Sequence, residues 1–453
     1  MRGRKDGRMG GRLVAGVDLG STGIKMLVVD EDGTELVLEE IPTPWRPGPG
    51  GTADLPAERL VTALHRLVRG AADRLTGRRI EAIAIAGMGE SGVLLDAAGR
   101  AAAPAFAWFD PRGAEQVRAL PEPIRAEFAG RTGLPLGAQT SAAKLAHLRD
   151  GGLRPHGHRW LNLPEFAATV LGGRPSLEAS LTSRTGLLDQ DTGEPWDAML
   201  AELGASRELL LPIEPAGTDL GAVADRFPAA VAGARITVAG HDHLVAAEAG
   251  GAIRPDQYHV SMGTAEVLLR VVDAPLGYAA RARLAGHLIN EVRHVVPGKH
   301  VLVAGVKTGL LLRRALETSG ITDRAGRDRL DAAVMHLPYE GALPAGGLSV
   351  SGARNDDGEL ALTVRTDGAT PAEIFGAVLR HSNDEISELI AAIDRELPPA
   401  SSATLTGGWA DMRSVRRARE RVLPRISASE RSQETAFGAA RIASRLLPAD
   451  RAA

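Results

Sequence analysis

The chain has 453 residues, with 53 Lys and Arg against 56 Asp and Glu for a formal charge of −3, a balance that argues against a dedicated nucleic-acid binder. Hydrophobic residues make up 44% and charged residues 24%, so a core can be buried and disorder is excluded for most of the chain; at ~100–200 residues per domain the length fits two domains or one very large one. Cysteine is absent, which removes disulfide scaffolds, thiol nucleophiles and thiolate metal sites together and fits a reducing, cytoplasmic compartment.

In chain order, residues 1–12 come first, with Arg2, Arg4, Lys5, Arg8 and Arg12 among four glycines. They look like the charged start of a secretory signal, but the apolar stretch that follows is broken at Asp18 and Gly20 and offers no small-residue cleavage site. Residues 1–12 therefore read as a disordered basic extension. No apolar run approaches the ~20 residues of a membrane span, so no membrane partner is expected. Strand-like runs then cover Leu13–Val17, Ile24–Val29, Ile80–Ala86, Gly92–Leu95, Ile236–Ala239, Tyr258–Ser261 and Val267–Val272. Helix-like stretches fall at Pro56–Arg74, Ala198–Leu203, Leu244–Gly250, Gly309–Thr318, Pro371–Leu397 and Glu434–Leu447. This is a mixed α/β pattern, neither a bundle nor a sandwich. Proline clusters at 42–49 and 121–123 read as surface loops.

One pattern occurs twice. Residues 14–30 run strand, a tight Gly20-Ser21-Thr22 turn, strand; residues 259–269 repeat this around Gly263-Thr264. Two such copies about half a chain apart imply two homologous domains, 13–247 and 248–453, joined where a helix ends in Gly250-Gly251. A Gly/Ser/Thr turn between strands offers N–H groups and hydroxyls to phosphate oxygens. A single copy is most simply a hairpin turn. Its duplication, with Asp18 placed where a nucleotide-bound Mg²⁺ needs a carboxylate, favours the phosphate reading. Lys25 is either a phosphate contact or a solvated strand residue.

Gly240-His241-Asp242-His243 ends a strand and opens a helix. Asp242 can cap that helix, act as a general base toward a hydroxyl, or do both. His241 and His243 form too thin a cluster to argue a metal site. Other nucleotide motifs fail. There is no Gly-x-x-x-x-Gly-Lys-Ser/Thr. Gly87-Met88-Gly89-Glu90-Ser91-Gly92 fits Gly-x-Gly-x-x-Gly, with Asp110 downstream as a candidate ribose ligand, but it runs into another strand where a dinucleotide fingerprint opens a helix. A nicotinamide-dependent oxidoreductase is kept only as an outside reading.

The ordered set Gly16-Val17-Asp18-Leu19-Gly20-Ser21-Thr22, Trp108-Phe109-Asp110-Pro111-Arg112, Thr132-Gly133-Leu134-Pro135, Ser183-Arg184-Thr185-Gly186-Leu187, Gly240-His241-Asp242, Gly263-Thr264, Gly407-Gly408 and Phe437-Gly438-Ala439-Ala440 resembles the FGGY carbohydrate kinases, from about Leu13 to Leu447. The resemblance implies two actin-like, ribonuclease H-like domains around a central cleft and ATP- and Mg²⁺-dependent phosphorylation of a small sugar, ketose or polyol. It implies that Asp18 and Gly20–Thr22 face the metal and the transferred phosphate, that Gly263-Thr264 is the second phosphate loop, and that Gly407-Gly408 lies against the adenosine. Asp242 would be the base, with Glu90, Trp108 and His241 beside the sugar; a turn-stabilising Glu and a core Trp are the plain alternatives for Glu90 and Trp108.

The chain departs from the family's pattern in places. Glu90-Ser91-Gly92 replaces the Met-His-Gly turn of xylulokinases, and Gly89 replaces the Arg of the glycerol kinase Arg-Glu pair, so neither substrate is singled out. A His before the catalytic Asp resembles fuculokinase- and rhamnulokinase-like branches. Arg413, Arg416, Arg417, Arg419 and Arg421 follow Gly407-Gly408 where apolar residues are usual, and read as a solvated face or as an oligomer or nucleotide contact. A homodimer is left open. A ROK-type repressor would need an N-terminal helix-turn-helix and usually a Cys-rich zinc site. A non-catalytic, chaperone-like actin-fold ATPase would have no use for the Gly-His-Asp turn and the sugar-wall Trp.

Overall fold

A computed structural model describes residues 11–337, 346–354, 359–429, 431 and 433–448. The expected extension lies outside the described residues except for its last two; of these, Arg12 is tied down, its guanidinium donating to the Pro448 carbonyl.

The first apolar runs form β1 (Leu13–Leu19) and β2 (Gly23–Asp30), a hairpin closed by the Gly20–Thr22 turn, followed by β3 (Glu35–Pro42). Helix α1 (Ala57–Asp73) leads into β4 (Ile80–Gly87), and a long excursion precedes β5 (Arg235–His241). The sheet order is β5-β4-β1-β2-β3; β4 and β5 run parallel to β1, whereas β2 and β3 alternate in direction. β1 and β4 lie inside the sheet and are buried almost throughout, which explains their near-continuous apolar sequences.

Helix α2 (Leu163–Leu171) belongs to the excursion and packs on β4 and β5; α3 (Asp242–Ala249) then leads out of the sheet to Gly250-Gly251. The second half repeats the plan. β6 (Gln257–Met262) and β7 (Glu266–Val272) form its hairpin, and β8 (Ile289–Arg293), β9 (His300–Val306), β10 (Ser402–Thr406) and β11 (Arg425–Ala428) complete the sheet in the order β8-β9-β7-β6-β10-β11. Apart from the added edge strand β8, order and directions match the first half.

Helices α4 (Thr308–Thr318), α5 (Pro371–Asp394) and α6 (Arg413–Arg419) cover one face of the second sheet. The other face joins the first core: along β7, Leu268 packs with its own helices while Val267 and Leu269 point into the first half's core. That two-sided burial explains a strand with no exposed position. Arg281, fully buried, fastens the halves further by donating to the Gly130 carbonyl and to both oxygens of Asp191.

Packing departs from a simple division of the chain at 247/248, because the final helix α7 (Glu434–Ser444) crosses back to lie on β1, β4 and α3. Gly16 permits this approach: a Cβ there would sit 1.8 Å from the Ala436 carbonyl oxygen. The prolines at 121–123 open a helix, Glu122–Thr132, instead of marking a loop, since the first helical turn has no need of the N–H that proline lacks. Among the described residues no helix is long and apolar enough to cross a membrane.

Candidate active site

Asp18, near the end of β1, and Gly240, near the end of β5, both pair with Ala86 of the intervening β4, so they stand at one level of the sheet. Glu90 follows three residues after β4 ends. Three carboxylates, Asp18, Glu90 and Asp242, thus gather at the carboxyl ends of three parallel strands, where open α/β sheets place their ligands.

The Gly240-His241 corner is held rigidly. Gly240 has φ +108°, and a Cβ there would meet the Ser180 hydroxyl and Val295 at 2.6 Å. The Ser180 hydroxyl accepts from the His241 N–H at 3.0 Å and donates to Glu178 at 2.6 Å. His241 occupies the cap position of α3 without a capping bond from its side chain, and Asp242 is the first helical residue. Asp242 is therefore not a conventional cap; its Oδ1 accepts only from the adjacent His243 N–H, at 2.6 Å.

The electrostatics separate the carboxylates. Burial pushes Asp242 up, but the neighbouring His243 and His241, the His243 N–H and Arg184 outweigh it and hold the carboxyl below the usual range. Burial, with help from the charge of Asp242, raises Asp18 to about 7 against the opposing pull of Lys25. Burial also raises Glu90, although Arg184 opposes the shift. Desolvation brings the His241 imidazole down to about 3, so it is neutral at physiological pH. Asp18 Oδ1, His241 Nδ1 and Arg184 Nη1 are buried without a hydrogen-bond partner. Buried polar atoms that the protein leaves unpaired mark places made for something else.

The Gly20-Ser21-Thr22 turn beside Asp18 has its carbonyls bonded away. They accept from the Thr43 hydroxyl (2.6 Å), the Trp45 indole (2.7 Å) and the Thr43 N–H (3.2 Å) respectively. Trp108 reaches this turn through a ladder of rings: it meets Phe109 edge-on at 5.4 Å, and Phe109 meets Trp45 at 6.2 Å. It is half-buried and packs against the edge of the first core. Lys25 bonds to Gln433 at 3.2 Å and lies 3.8 Å from Glu40. The Glu90 carboxylate pairs with Arg184 and does not brace its own turn.

In the second half, Gly263-Thr264 and Gly407-Gly408 extend from the adjacent parallel strands β6 and β10, and the Trp409 N–H returns to the Met262 carbonyl at 3.4 Å. The amino end of α7 joins the two groups of loops: the Thr435 hydroxyl reaches the Asp242 carbonyl at 3.5 Å, and neighbouring Glu434 takes a hydrogen bond from Thr406 at the end of β10.

Among the described residues no group of three or more His, Asp or Glu is disposed to hold a metal. Asp110 is buried with Arg112, which also binds Asp54, so its role is structural. The Gly87–Gly92 motif runs from β4 into the strand Gly92–Leu95 and opens no helix. The arginines of 413–421 are mostly staples: Arg417 binds the Met335 and Val334 carbonyls, Arg416 binds that of Ala410, and Arg419 is wholly buried against Glu266. Arg184 carries no role that its local sequence announces; a lone Arg in an otherwise small and apolar Ser-Arg-Thr-Gly-Leu run is the signal that points to it.

Comparisons with known proteins bear on the family and the fold. Residues 13–248 match the model of the N-terminal domain of the FGGY family of carbohydrate kinases. A xylulose kinase of Escherichia coli strain K12 is 24% identical over 325 residues, 69% of this chain and 64% of that protein, somewhat under two thirds of its length. A glycerol kinase of Bradyrhizobium sp. strain ORS 278 is 26% identical over 417 residues, 87% of this chain and 80% of that one. Among solved structures, a ligand-bound xylulose kinase from Lactobacillus acidophilus superposes with a TM-score of 0.83 at 16% identity, covering 96% of this chain and 89% of that one.

Proposed function

Because the chain belongs to the FGGY family of carbohydrate kinases, we propose that it transfers the γ-phosphate of ATP to a hydroxyl of a small sugar, ketose or polyol, with Asp242 as general base. The observation that carries this reading is the nearness of Asp18, near the end of β1, to Asp242, which opens α3 two residues past Gly240 at the same level of the sheet; the charge of Asp242 helps to raise the Asp18 pKa. Two carboxylates with opposite shifts suit two tasks.

Asp242 stays ionised and is free to take the acceptor's proton. Phosphoryl transfer asks little else of protein than positioning and charge stabilisation. Asp18, with a buried and unpartnered oxygen and a proton held only to about pH 7, fits a divalent cation. Bound there with ATP, Mg²⁺ supplies neutralisation of phosphate charge. The Gly20–Thr22 and Gly263-Thr264 turns hold the phosphates from two sides, Gly407-Gly408 lies along the adenosine, and Glu90, Trp108 and His241 orient the acceptor. Closing the cleft around both substrates excludes water and thereby suppresses hydrolysis of ATP.

The test is ADP release with Mg·ATP across a panel of polyols, ketoses and deoxysugars. Acceptor-dependent release supports the kinase; release indifferent to every acceptor supports an actin-fold ATPase instead.

A further inference from the structure

Arg184 follows the short helix Ala179–Thr182 and is 8% exposed. Its Nε donates to Glu90 Oε1 at 2.5 Å and its Nη2 pairs with the same oxygen. Nη1 is buried and has no partner. Gly89 makes this placement possible: a Cβ there would meet Arg184 Cδ at 2.9 Å and His241 Cδ2 at 3.0 Å. The guanidinium is therefore wedged between the turn after β4 and the His241-Asp242 corner. Glu90 is just as constrained. Its backbone sits at φ +62°, a strained setting for a residue with a side chain, and the Ser141 hydroxyl donates to its carbonyl at 3.0 Å.

A buried guanidinium N–H left unpaired is expensive, and here it lies among groups that sense Asp242. The charge balance limits what can satisfy it. Glu90 already pairs with Arg184, while Asp242, held below the usual carboxylate range, adds negative charge nearby. An acceptor oxygen from a neutral molecule completes the guanidinium at no electrostatic penalty. A carboxylate at Nη1 would face Asp242 with the charge of Arg184 already matched by Glu90.

Resting on the kinase reading above, we propose that Arg184 is an acceptor-binding residue whose Nη1–H donates to an oxygen of an uncharged polyol or ketose, and that Glu90, by occupying the rest of the guanidinium, excludes sugar acids. Specificity of this kind comes as much from the repulsive element as from the attractive one.

The experiment compares kcat/KM, from ADP release, for neutral acceptors (glycerol, xylitol, D-xylulose) and for acidic ones (D-gluconate, D-xylonate) in wild type, R184Q, E90Q and the double variant. Wild type should prefer at least one neutral acceptor. R184Q should raise the KM for that acceptor by about 10–100-fold, as expected for a lost hydrogen bond from a charged donor, with the KM for ATP nearly unchanged. E90Q should lower kcat/KM for the neutral acceptor and raise the acid-to-neutral ratio by about 10-fold or more, a gain that the double variant abolishes. A merely structural Arg184–Glu90 pair would shift thermal stability and leave that ratio fixed. Each variant is judged on its own ratio or KM, so loss of fold in one leaves the other to decide. If wild type phosphorylates a neutral acceptor while R184Q keeps its KM and E90Q keeps its ratio, this proposal alone falls. If wild type phosphorylates none of the panel, the kinase reading falls and takes this proposal with it. A wild-type preference for the acids overturns only the assignment of charge.

Discussion

The two halves share one strand plan, β3-β2-β1-β4-β5 against β9-β7-β6-β10-β11, yet place charge differently within it. In the first half, Asp18 stands two residues before the turn glycine, and Ile24 lies opposite Leu19 across the hairpin. In the second, Ser261 takes the place of Asp18, and Glu266 lies opposite Met262 where the first half has an isoleucine. Glu266 is sealed against Arg419, which also binds Asn383 and Ser382. The first half thus leaves the Asp18 Oδ1 buried without a partner, whereas the second pairs its carboxylate with an arginine inside the scaffold beneath the Gly263-Thr264 turn. A duplicated frame supplies two turns, and the charge beside each is put to a different use.

Asp242→Asn is the severest way to break that asymmetry. It should lower kcat by ~10²–10⁴-fold and leave the melting temperature nearly unchanged, since among the described residues the side-chain contacts of Asp242 are local, a hydrogen bond from the His243 N–H and His241 Nε2 at 3.6 Å. An ADP-release assay beside calorimetry checks both; full turnover in the folded variant would move the base to another residue, with Glu90 first in line.

In the second half the corresponding damage is to stability. Arg419→Met strands the Glu266 carboxylate and should cost about 3–5 kcal/mol, most of which Arg419→Met with Glu266→Met recovers. Denaturant unfolding of both variants measures this, and equal losses would show that shape, not charge, holds the turn.

Asp18 predicts a pH dependence of the opposite kind to that of a salt-bridged carboxylate. Its folded pKa of about 7 lies above the ordinary aspartate value of 3.8. The folded state therefore holds the proton more tightly, and the stability this confers is complete below pH 3.8 and is lost as pH rises through 7. Asp18→Asn, which cannot ionise, should be the more stable protein at pH 8, by on the order of 1–4 kcal/mol, with the difference closing toward pH 4. Melting temperatures across that window decide; a constant difference would mean that Asp18 is not strained by charge.

The mildest change, Thr264→Val, removes one hydroxyl from the exposed second turn. It should raise the KM for ATP about 2–10-fold and leave the acceptor KM alone. Equal effects on both substrates would argue that the turn shapes the whole cleft.

Both hairpins were legible in the sequence because a Gly/Thr turn between apolar strands is a local signal, as was the strand that delivers Asp242. What escaped depends on partners far along the chain. Arg419 looks like any surface arginine until Glu266, 153 residues away, is packed against it. Arg184 and Glu90 meet across 94 residues. The excursion between β4 and β5 was also poorly read: its helix Ser141–Asp150 buries Lys144, whose ammonium donates to the Asp110 and Arg112 carbonyls, and a lysine in a helical run ordinarily signals solvent. Burial pushes that ammonium down to about 8.

The return of α7 to β1 bears on how the protein is made. At roughly 5–20 residues per second, translation takes roughly 20–80 s to proceed from β1 to α7. For the later part of that interval, once β5 (Arg235–His241) has been made, the first sheet has all its strands but lacks the helix that covers Gly16 and closes over α3. The nascent N-terminal half therefore presents an apolar groove to chaperones and to other nascent chains until α7 is made. A ribosome stalled anywhere between β5 and α7 would hold a sheet that is fully paired and still unfinished.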